Sequence, residues 1–285
     1  MSGAISVVMP AFRAEATIAG AVESLRAQSV ANWQLLIVAD DGADYEAVLG
    51  RAGLSDSRLK FLSSGGVRTG ASNTRNAGLA RIETRYAALL DADDRLKPRK
   101  LEALLGALET HRIVSTAIEV ADAELRPLRT VGAGSDRELD AGRHKWLNFS
   151  MDAMIGWDRE YTDARFDPEL PNMNDLDFLM RLFEHAATSF HLSEPLHVYV
   201  KQPQSLSNGE GMTARMIASK TTLRQRLASG YYRFADAGAA AGLDVFLAVS
   251  IEAEKAYPAA LVARPGLLFE DHLEPLLIAA STSAA

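Results

Sequence analysis

Three carboxylates fall within four positions of the segment LLDADDRLKP, residues 89–98, where an apolar run ends in Asp91, Asp93 and Asp94. Carboxylates crowded at a strand end repel one another unless a cation neutralises them. Hard divalent ions such as Mn²⁺ or Mg²⁺ prefer oxygen ligands and take phosphate oxygens as the remainder, so the segment suits a metal-bridged diphosphate. A solvated acidic turn, with Asp94 capping the next helix, is the competing reading. A second acidic pair, Asp40 and Asp41, ends the run LLIVADDGAD. A carboxylate there can accept a pyrimidine N–H or hold ribose hydroxyls, and an Asp-Gly turn is the plainer alternative. In GVRTGASNTRNAGLA, residues 66–80, Arg75 and Asn76 lie at the start of a helix entered through a glycine-containing loop. Helix-start amides and a guanidinium together suit the nucleotide part of a ligand. The glycines do not spell GxGxxG and no P-loop is present, which argues against nicotinamide, flavin and P-loop chemistry.

The elements that must hold these residues alternate in period. ISVVMP reads as a buried strand, residues 16–28 as a helix and LLIVAD as a second strand. A helix over 45–52, the strand KFLSS, a helix over 72–82 and the strand YAALLD follow. This is an α/β fold with a mainly parallel, Rossmann-like sheet flanked by helices, in which ligands bind beyond the carboxyl ends of the strands. After Pro98 the sequence predicts a helix to Thr110, a strand at IVSTAIEVAD with a hairpin to Thr130, a polar loop over 132–142 and a helix over 175–186. From Met212 alanine-rich patterning predicts helices over 214–229 and 231–257, with Pro258 and Pro265 as breakers.

Composition narrows the function. The chain has 285 residues, 48% of them hydrophobic, enough for a full core. Its net charge of −7 argues against nucleic acid as a partner, and the absence of cysteine removes disulfides, thiolate metal sites and cysteine nucleophiles. The N-terminus MSGAISVVMPAF lacks a secretory pattern and no apolar run is long enough to span a bilayer, so the expected location is cytoplasmic, with attachment to the inner membrane face left open.

Taken together, MPAFRAEATIAGAVESLRAQ, LLIVADDGAD, ASNTRNAGLA and LLDADD resemble, in order and spacing, the family 2 inverting glycosyltransferases of the GT-A fold. The resemblance covers residues 4–205. It implies a nucleotide-diphospho-sugar donor, UDP-sugar favoured, bound by residues 1–98, and an acceptor half over 99–211; the alanine-rich pattern makes 212–285 a helical extension. Pro10, Phe12 and Glu15 match the segment that frames the base, Asp41 the carboxylate that meets its ring, and Arg75 the nucleotide-side arginine. Asp91 matches the carboxylate toward ribose and sugar hydroxyls, and Asp93 the ligand of Mn²⁺ or Mg²⁺. Asp94 is a third carboxylate or a helix cap.

The resemblance places the general base in NMNDLDFLMRLFEHA, with Asp175 at the aspartate position, Asn174 where glutamate is common, and Asp177 as the competing carboxylate. Two positions apart on a helix, Asp175 and Asp177 point in different directions. Lys201 stands in for a cation over the diphosphate, with Gln202 where a histidine is common. His191 and His197 read as packed or surface residues, Trp146 as core, and Trp157 as either core or a sugar platform, with Tyr161 also nearby. Asp177 and Trp157 are thus candidate acceptor contacts. The implied reaction moves a hexose to a saccharide or lipid-linked saccharide hydroxyl in surface polysaccharide or glycoconjugate synthesis. A sugar nucleotidyltransferase would need a glycine-rich basic loop after the first strand, and PAFRAEATI is not one. A nucleotide-sugar-binding or partner-binding protein without turnover is motivated by Asn174 and Gln202. The tail, with seven basic and seven acidic residues, is expected to lie outside the chemical site and to offer a homodimer or membrane-surface contact.

Overall fold

The computed structural model describes residues 3–201 and 211–283. Its first half is the predicted alternation: β1 (Ile5–Ala11), α1 (Ile18–Arg26), β2 (Trp33–Ala39), α2 (Tyr45–Arg51), β3 (Leu59–Ser63), α3 (Ala71–Leu79) and β4 (Tyr86–Leu89). The strands pair in parallel in the order β3-β2-β1-β4. With helices on both faces, a central strand such as β1 has no wet side, and every residue of it but Pro10 is buried. The carbonyl of Val8 accepts from Leu90 on the β4 side, so the N–H that Pro10 lacks would face a flank where β4 pairing has already ended.

Beyond the donor half come β5 (Arg95–Leu96), α4 (Lys100–Leu108), β6 (Ile113–Asp122), β7 (Pro127–Val131), β8 (Arg137–Leu139), α5 (Ala141–Leu147) and β9 (Gly156–Asp158). Next are α6 (Asn174–Phe183) and β10 (Ser189–Lys201). β9 lies between β4 and β6, antiparallel to both, and β6 pairs in parallel with β10, so one mixed sheet runs through both halves. The polar stretch 132–142, expected as a loop, contains β8 and the start of α5. Only three residues of β8 pair, against Ser189–His191, which is too short for a periodic signal.

The C-terminal part forms three helices where two were expected: α7 (Met212–Ala228), α8 (Ala237–Ala263) and α9 (Phe269–Ser283). Pro258 does not break α8, which runs through it to Ala263, and α9 likewise contains Pro275. Each proline deletes one amide donor of its helix. α8 sits tightly on α5. A Cβ on Gly142 would lie 3.2 Å from the Gly242 Cα, so glycine on both helices is what lets the backbones approach. Leu223, Leu243, Phe246, Leu247, Leu273 and Leu277 belong to the same buried cluster as Ile118, Leu176, Phe178 and Phe183. A chain ending at residue 211 is therefore expected to expose this core and to aggregate or bind a hydrophobic dye. A soluble truncated chain with a cooperative melting transition would show that the helices are dispensable for folding.

Candidate active site

The carboxyl ends of β1, β2 and β4 open on one side of the sheet, as parallel pairing requires. Asp41, just past β2, accepts from the Arg13 amide (2.5 Å), the Ala43 amide (3.0 Å) and the Tyr45 hydroxyl (2.7 Å). Burial would raise its pKa, but these donors outweigh burial and hold the carboxyl below its usual range. Phe12 is an exposed aromatic at the end of β1, with the guanidinium carbons of Arg13 and Arg68 at 5.4 and 5.8 Å from its ring centroid. Glu15 lies on the same exposed turn. Asp40 is different. Its carboxylate is buried and consumed by Ser64 Oγ, both the amide and Oγ1 of Thr69, and the Gly70 amide, so it ties down the loop that leads into α3. Arg13, Arg68 and Met173, three of the four non-glycine residues in the left-handed region among the described residues, flank this opening or start α6. Such conformations are costly and persist where surrounding structure imposes them.

Arg75 is the hub. It lies in the middle of α3 and not at its start, and α3 lies close on the sheet because Gly78 has no Cβ; one there would come within 2.5 Å of Val8 Cγ1. Arg75 is only 7% exposed. One nitrogen donates to Asp91 Oδ1 (2.8 Å) and another to Asn174 Oδ1 (3.1 Å), while the Phe166 ring lies 5.3 Å away. Burial opposes its charge, yet Asp91, Asp175 and Asp93 hold its pKa above the ordinary arginine range. The acidic segment after β4 and the first turn of α6 thus meet on one cation, although they are more than 80 residues apart in sequence.

The three carboxylates of the acidic segment have separate fates. Asp91 faces Arg75. Burial, with Asp94 and Asp91 adding repulsion, pushes the Asp93 pKa up to about 7. Asp94 is fully buried and accepts from the Val200 amide (2.9 Å), with His197 Nε2 at 3.1 Å. It is not a helix cap: α4 begins at Lys100, behind Arg99. Burial opposes charge on both partners, raising the Asp94 carboxyl and lowering the His197 imidazole, and the two meet in a buried hydrogen bond. Among the described residues no three His, Asp or Glu side chains converge as a self-sufficient metal site. Two crowded carboxylates, one pushed toward protonation for want of a counter-charge, are a donor set that fits Mn²⁺ or Mg²⁺ completed by phosphate oxygens and water.

Asp175 occupies the first turn of α6, half-buried, with Oδ1 accepting from its neighbour Leu176 N (3.0 Å) and Oδ2 weakly from Asp152 N (3.4 Å). It is not the N-cap, a position held by Met173. Two expected acceptor contacts are removed by burial. Asp177 is completely buried and bonded to Arg181 (2.8 Å), Arg226 (2.7 Å) and Tyr232 (2.5 Å), so it anchors α6 to α7 and to the segment after it. Trp157 is 3% exposed in β9 and packs edge-on against Phe178, which makes it core and no sugar platform. Trp146 also packs inside, donating from its indole to the Gly242 carbonyl, whereas Tyr161 stays 42% exposed with the Arg112 guanidinium over its ring.

Residues 6–166 match the model of Glycosyl transferase family 2, more than half of the chain. The protein belongs to this family. Over 109 residues this family 2 glycosyltransferase is 35% identical to the UDP-Glc:alpha-D-GlcNAc-diphosphoundecaprenol beta-1,3-glucosyltransferase WfgD of Escherichia coli, a match spanning 38% of this chain and 42% of that protein. It is 27% identical over 217 residues to the putative teichuronic acid biosynthesis glycosyltransferase TuaG of Bacillus subtilis, covering 74% of this chain and 84% of TuaG. Among solved structures, S. aureus TarS 1-349 in complex with UDP-GlcNAc superposes with a TM-score of 0.68 at 15% identity, over 97% of this chain and 79% of that one. The α/β sheet and the C-terminal helices therefore share the GT-A fold that the sequence resemblance implies.

In this glycosyltransferase Lys201, the last described residue of β10, is engaged by the tail: its Nζ lies 2.7 Å from Glu270 Oε1 on α9 and 4.3 Å from the Tyr199 ring centroid. Gln202 falls outside the described residues. His191 is a packed histidine, bonded to Ser115 Oγ and to the Gly132 carbonyl. Sequence reading missed Glu270, which lies 69 positions from Lys201, and missed the buried pair Lys145–Asp152 (2.6 Å) beneath the loop that meets Asp175. No local pattern marks either of them.

Proposed function

We propose that this family 2 enzyme is a metal-dependent, inverting hexosyltransferase that takes a UDP-sugar as donor and a saccharide or lipid-linked saccharide hydroxyl as acceptor, in surface polysaccharide or glycoconjugate synthesis. The observation that carries the reading is Arg75 bridging Asp91 and Asn174, which puts the acidic segment and the helix bearing Asp175 around one buried cation. Asp93, with Asp91, would hold Mn²⁺ or Mg²⁺, and an ion there would offset the charge that builds on the departing diphosphate. Asp175 takes the proton from the acceptor hydroxyl as that oxygen attacks the anomeric carbon from the face opposite the leaving group. Phe12, Pro10, Glu15 and Asp41 frame the base. The UDP-Glc in the name of WfgD and the UDP-GlcNAc of the TarS complex support UDP as the nucleotide. The diphosphoundecaprenol of the WfgD name supports a lipid-linked acceptor. Asn174, in place of the commoner glutamate, still gives Arg75 an acceptor oxygen, so its presence does not favour a protein without turnover.

No helix among the described residues is long and apolar enough to cross a membrane. A cytoplasmic protein working at the inner membrane face would use exposed residues such as Val262 on α8 and Ile278 on α9 for surface or dimer contact.

The reading is tested by incubating the protein with UDP-Glc, UDP-Gal and UDP-GlcNAc and Mn²⁺. Release of UDP, accelerated by a saccharide acceptor, is expected. Binding of UDP without any turnover across a broad acceptor panel would favour a sugar-nucleotide-binding role. Asp41→Ala is expected to weaken UDP and UDP-sugar by the same factor, about 10-fold for a lost charge-assisted hydrogen bond. A loss confined to the sugar nucleotide, measured by calorimetry, would reverse the assignment of that end of the site.

A further inference from the structure

The last helix reaches into the donor side of the site. Glu270, in the first turn of α9, is 3% exposed, and its Oε1 accepts from both Lys201 Nζ (2.7 Å) and Ser150 Oγ (2.6 Å). Lys201 ends β10 on the side of the acidic segment: the preceding Val200 amide bonds Asp94, and the Lys201 charge acts on the Asp94 carboxyl. Ser150 lies two residues before Asp152, whose amide meets Asp175. A single carboxylate oxygen therefore fastens both the strand end that carries the cation and the loop beside the proposed base. α9 is itself held from outside the site. Arg129 of β7 bonds Asp271 (2.5 Å) and Glu274 (2.7 Å), while Leu273 and Leu277 enter the core. Residues beyond 212, expected to lie apart from the chemistry, thus touch a residue that the family resemblance places at the diphosphate.

We propose that Glu270 is a positioning residue that presents the Lys201 ammonium to the diphosphate of the donor, which makes α9 part of the donor site. The proposal rests on the reading of the protein as a nucleotide-sugar transferase. A free lysine has many rotamers, and engaging a phosphate freezes most of them. With its ammonium held by both Glu270 and Tyr199, Lys201 has already lost most of that freedom, and an ammonium has three donors, which leaves one for a phosphate oxygen. The Glu270 charge reduces the attraction for an anion, and the gain from positioning exceeds that loss.

The test compares UDP with uridine, which has the base and ribose but no phosphate, by ligand-observed NMR and calorimetry in Mn²⁺. Glu270→Ala is expected to weaken UDP about 5- to 10-fold and to leave uridine unchanged; Lys201→Met should do the same. The double variant should bind UDP no worse than Lys201→Met alone, because Glu270 acts through that lysine. Arg129→Gln, which loosens α9 without touching Lys201, controls for helix packing, and melting temperatures report folding. Equal losses for UDP and uridine, unchanged or tighter UDP binding, or additive losses in the double variant would each overturn the proposal. A wild-type protein that binds no UDP would bring down the functional reading, and this proposal with it; wild-type binding with an inert Glu270→Ala brings down this proposal alone.

Discussion

Asp175→Asn is expected to slow sugar transfer by about 10²- to 10⁴-fold while UDP affinity stays at the wild-type value, because general-base assistance acts on the acceptor proton and not on the donor. The substitution is nearly isosteric. Asn keeps one oxygen to accept the 3.0 Å bond from the Leu176 amide and gives up only the weak 3.4 Å bond from Asp152, so folding is spared. Asp177→Asn has the opposite profile. Asp177 is fully buried and pairs with Arg181 and Arg226, whose side chains are 25% and 18% exposed. Removing its charge leaves guanidinium groups with poorer partners, partly relieved by water, at a cost of about 2–3 kcal/mol and several degrees of Tm. Per folded molecule its transfer rate should stay within a few-fold of wild type. Single-turnover transfer rates and thermal melts on both variants decide the matter. If Asp177→Asn abolishes transfer in fully folded protein and Asp175→Asn does not, the base is the other carboxylate.

Asp93→Ala is expected to bring activity to background without unfolding the chain, and excess chelator should do the same to the wild type. The substitution removes one of two candidate ligands and also relieves a crowded set of carboxylates, so a modest rise in Tm of the metal-free protein is the expected companion. The pH dependence has a definite sign. The Asp93 pKa is pushed up to about 7 by burial and by Asp94 and Asp91, so below that pH the carboxyl is protonated and a poor ligand. A divalent ion must displace that proton, and its affinity therefore rises with pH through about 7. The Mn²⁺ concentration for half-maximal activity should fall between pH 6 and pH 8. The same shift means that the metal-free folded state binds more protons than the unfolded chain, and this group's stabilisation is lost as pH rises through about 7. Wild-type turnover in excess chelator, or a metal requirement independent of pH across that range, would remove Asp93 from this role.

Local spacing determined the donor half. Each strand there is a short apolar run closed by a turn, and each functional side chain sits within a few positions of such an end. Period alone therefore placed Phe12, Asp41, Asp91 and Asp93 on one side of a parallel sheet, and four ordered blocks were enough to imply the family. Which carboxylates remain available was decided only by contacts distant in sequence. Asp94 and His197 are 103 positions apart, Arg75 and Asn174 are 99 apart, and Lys201 and Glu270 are 69 apart. Asp177 and Trp157 looked like acceptor contacts because an acidic residue near a base and an aromatic near a sugar site carry no mark of burial. Arg226, Tyr232 and Phe178 supply that burial, and they are known only once α6, α7 and β9 are packed. The tail read as an appendage for a related reason. Its alanine-rich helices have weak amphipathic contrast, so what they cover depends on close approaches such as Gly142 against Gly242 and on the Arg129 pairs to α9. Hydrophobic period records which way a residue faces within its own element; the partner across the gap, which sets charge, exposure and pKa, is a property of the assembled chain.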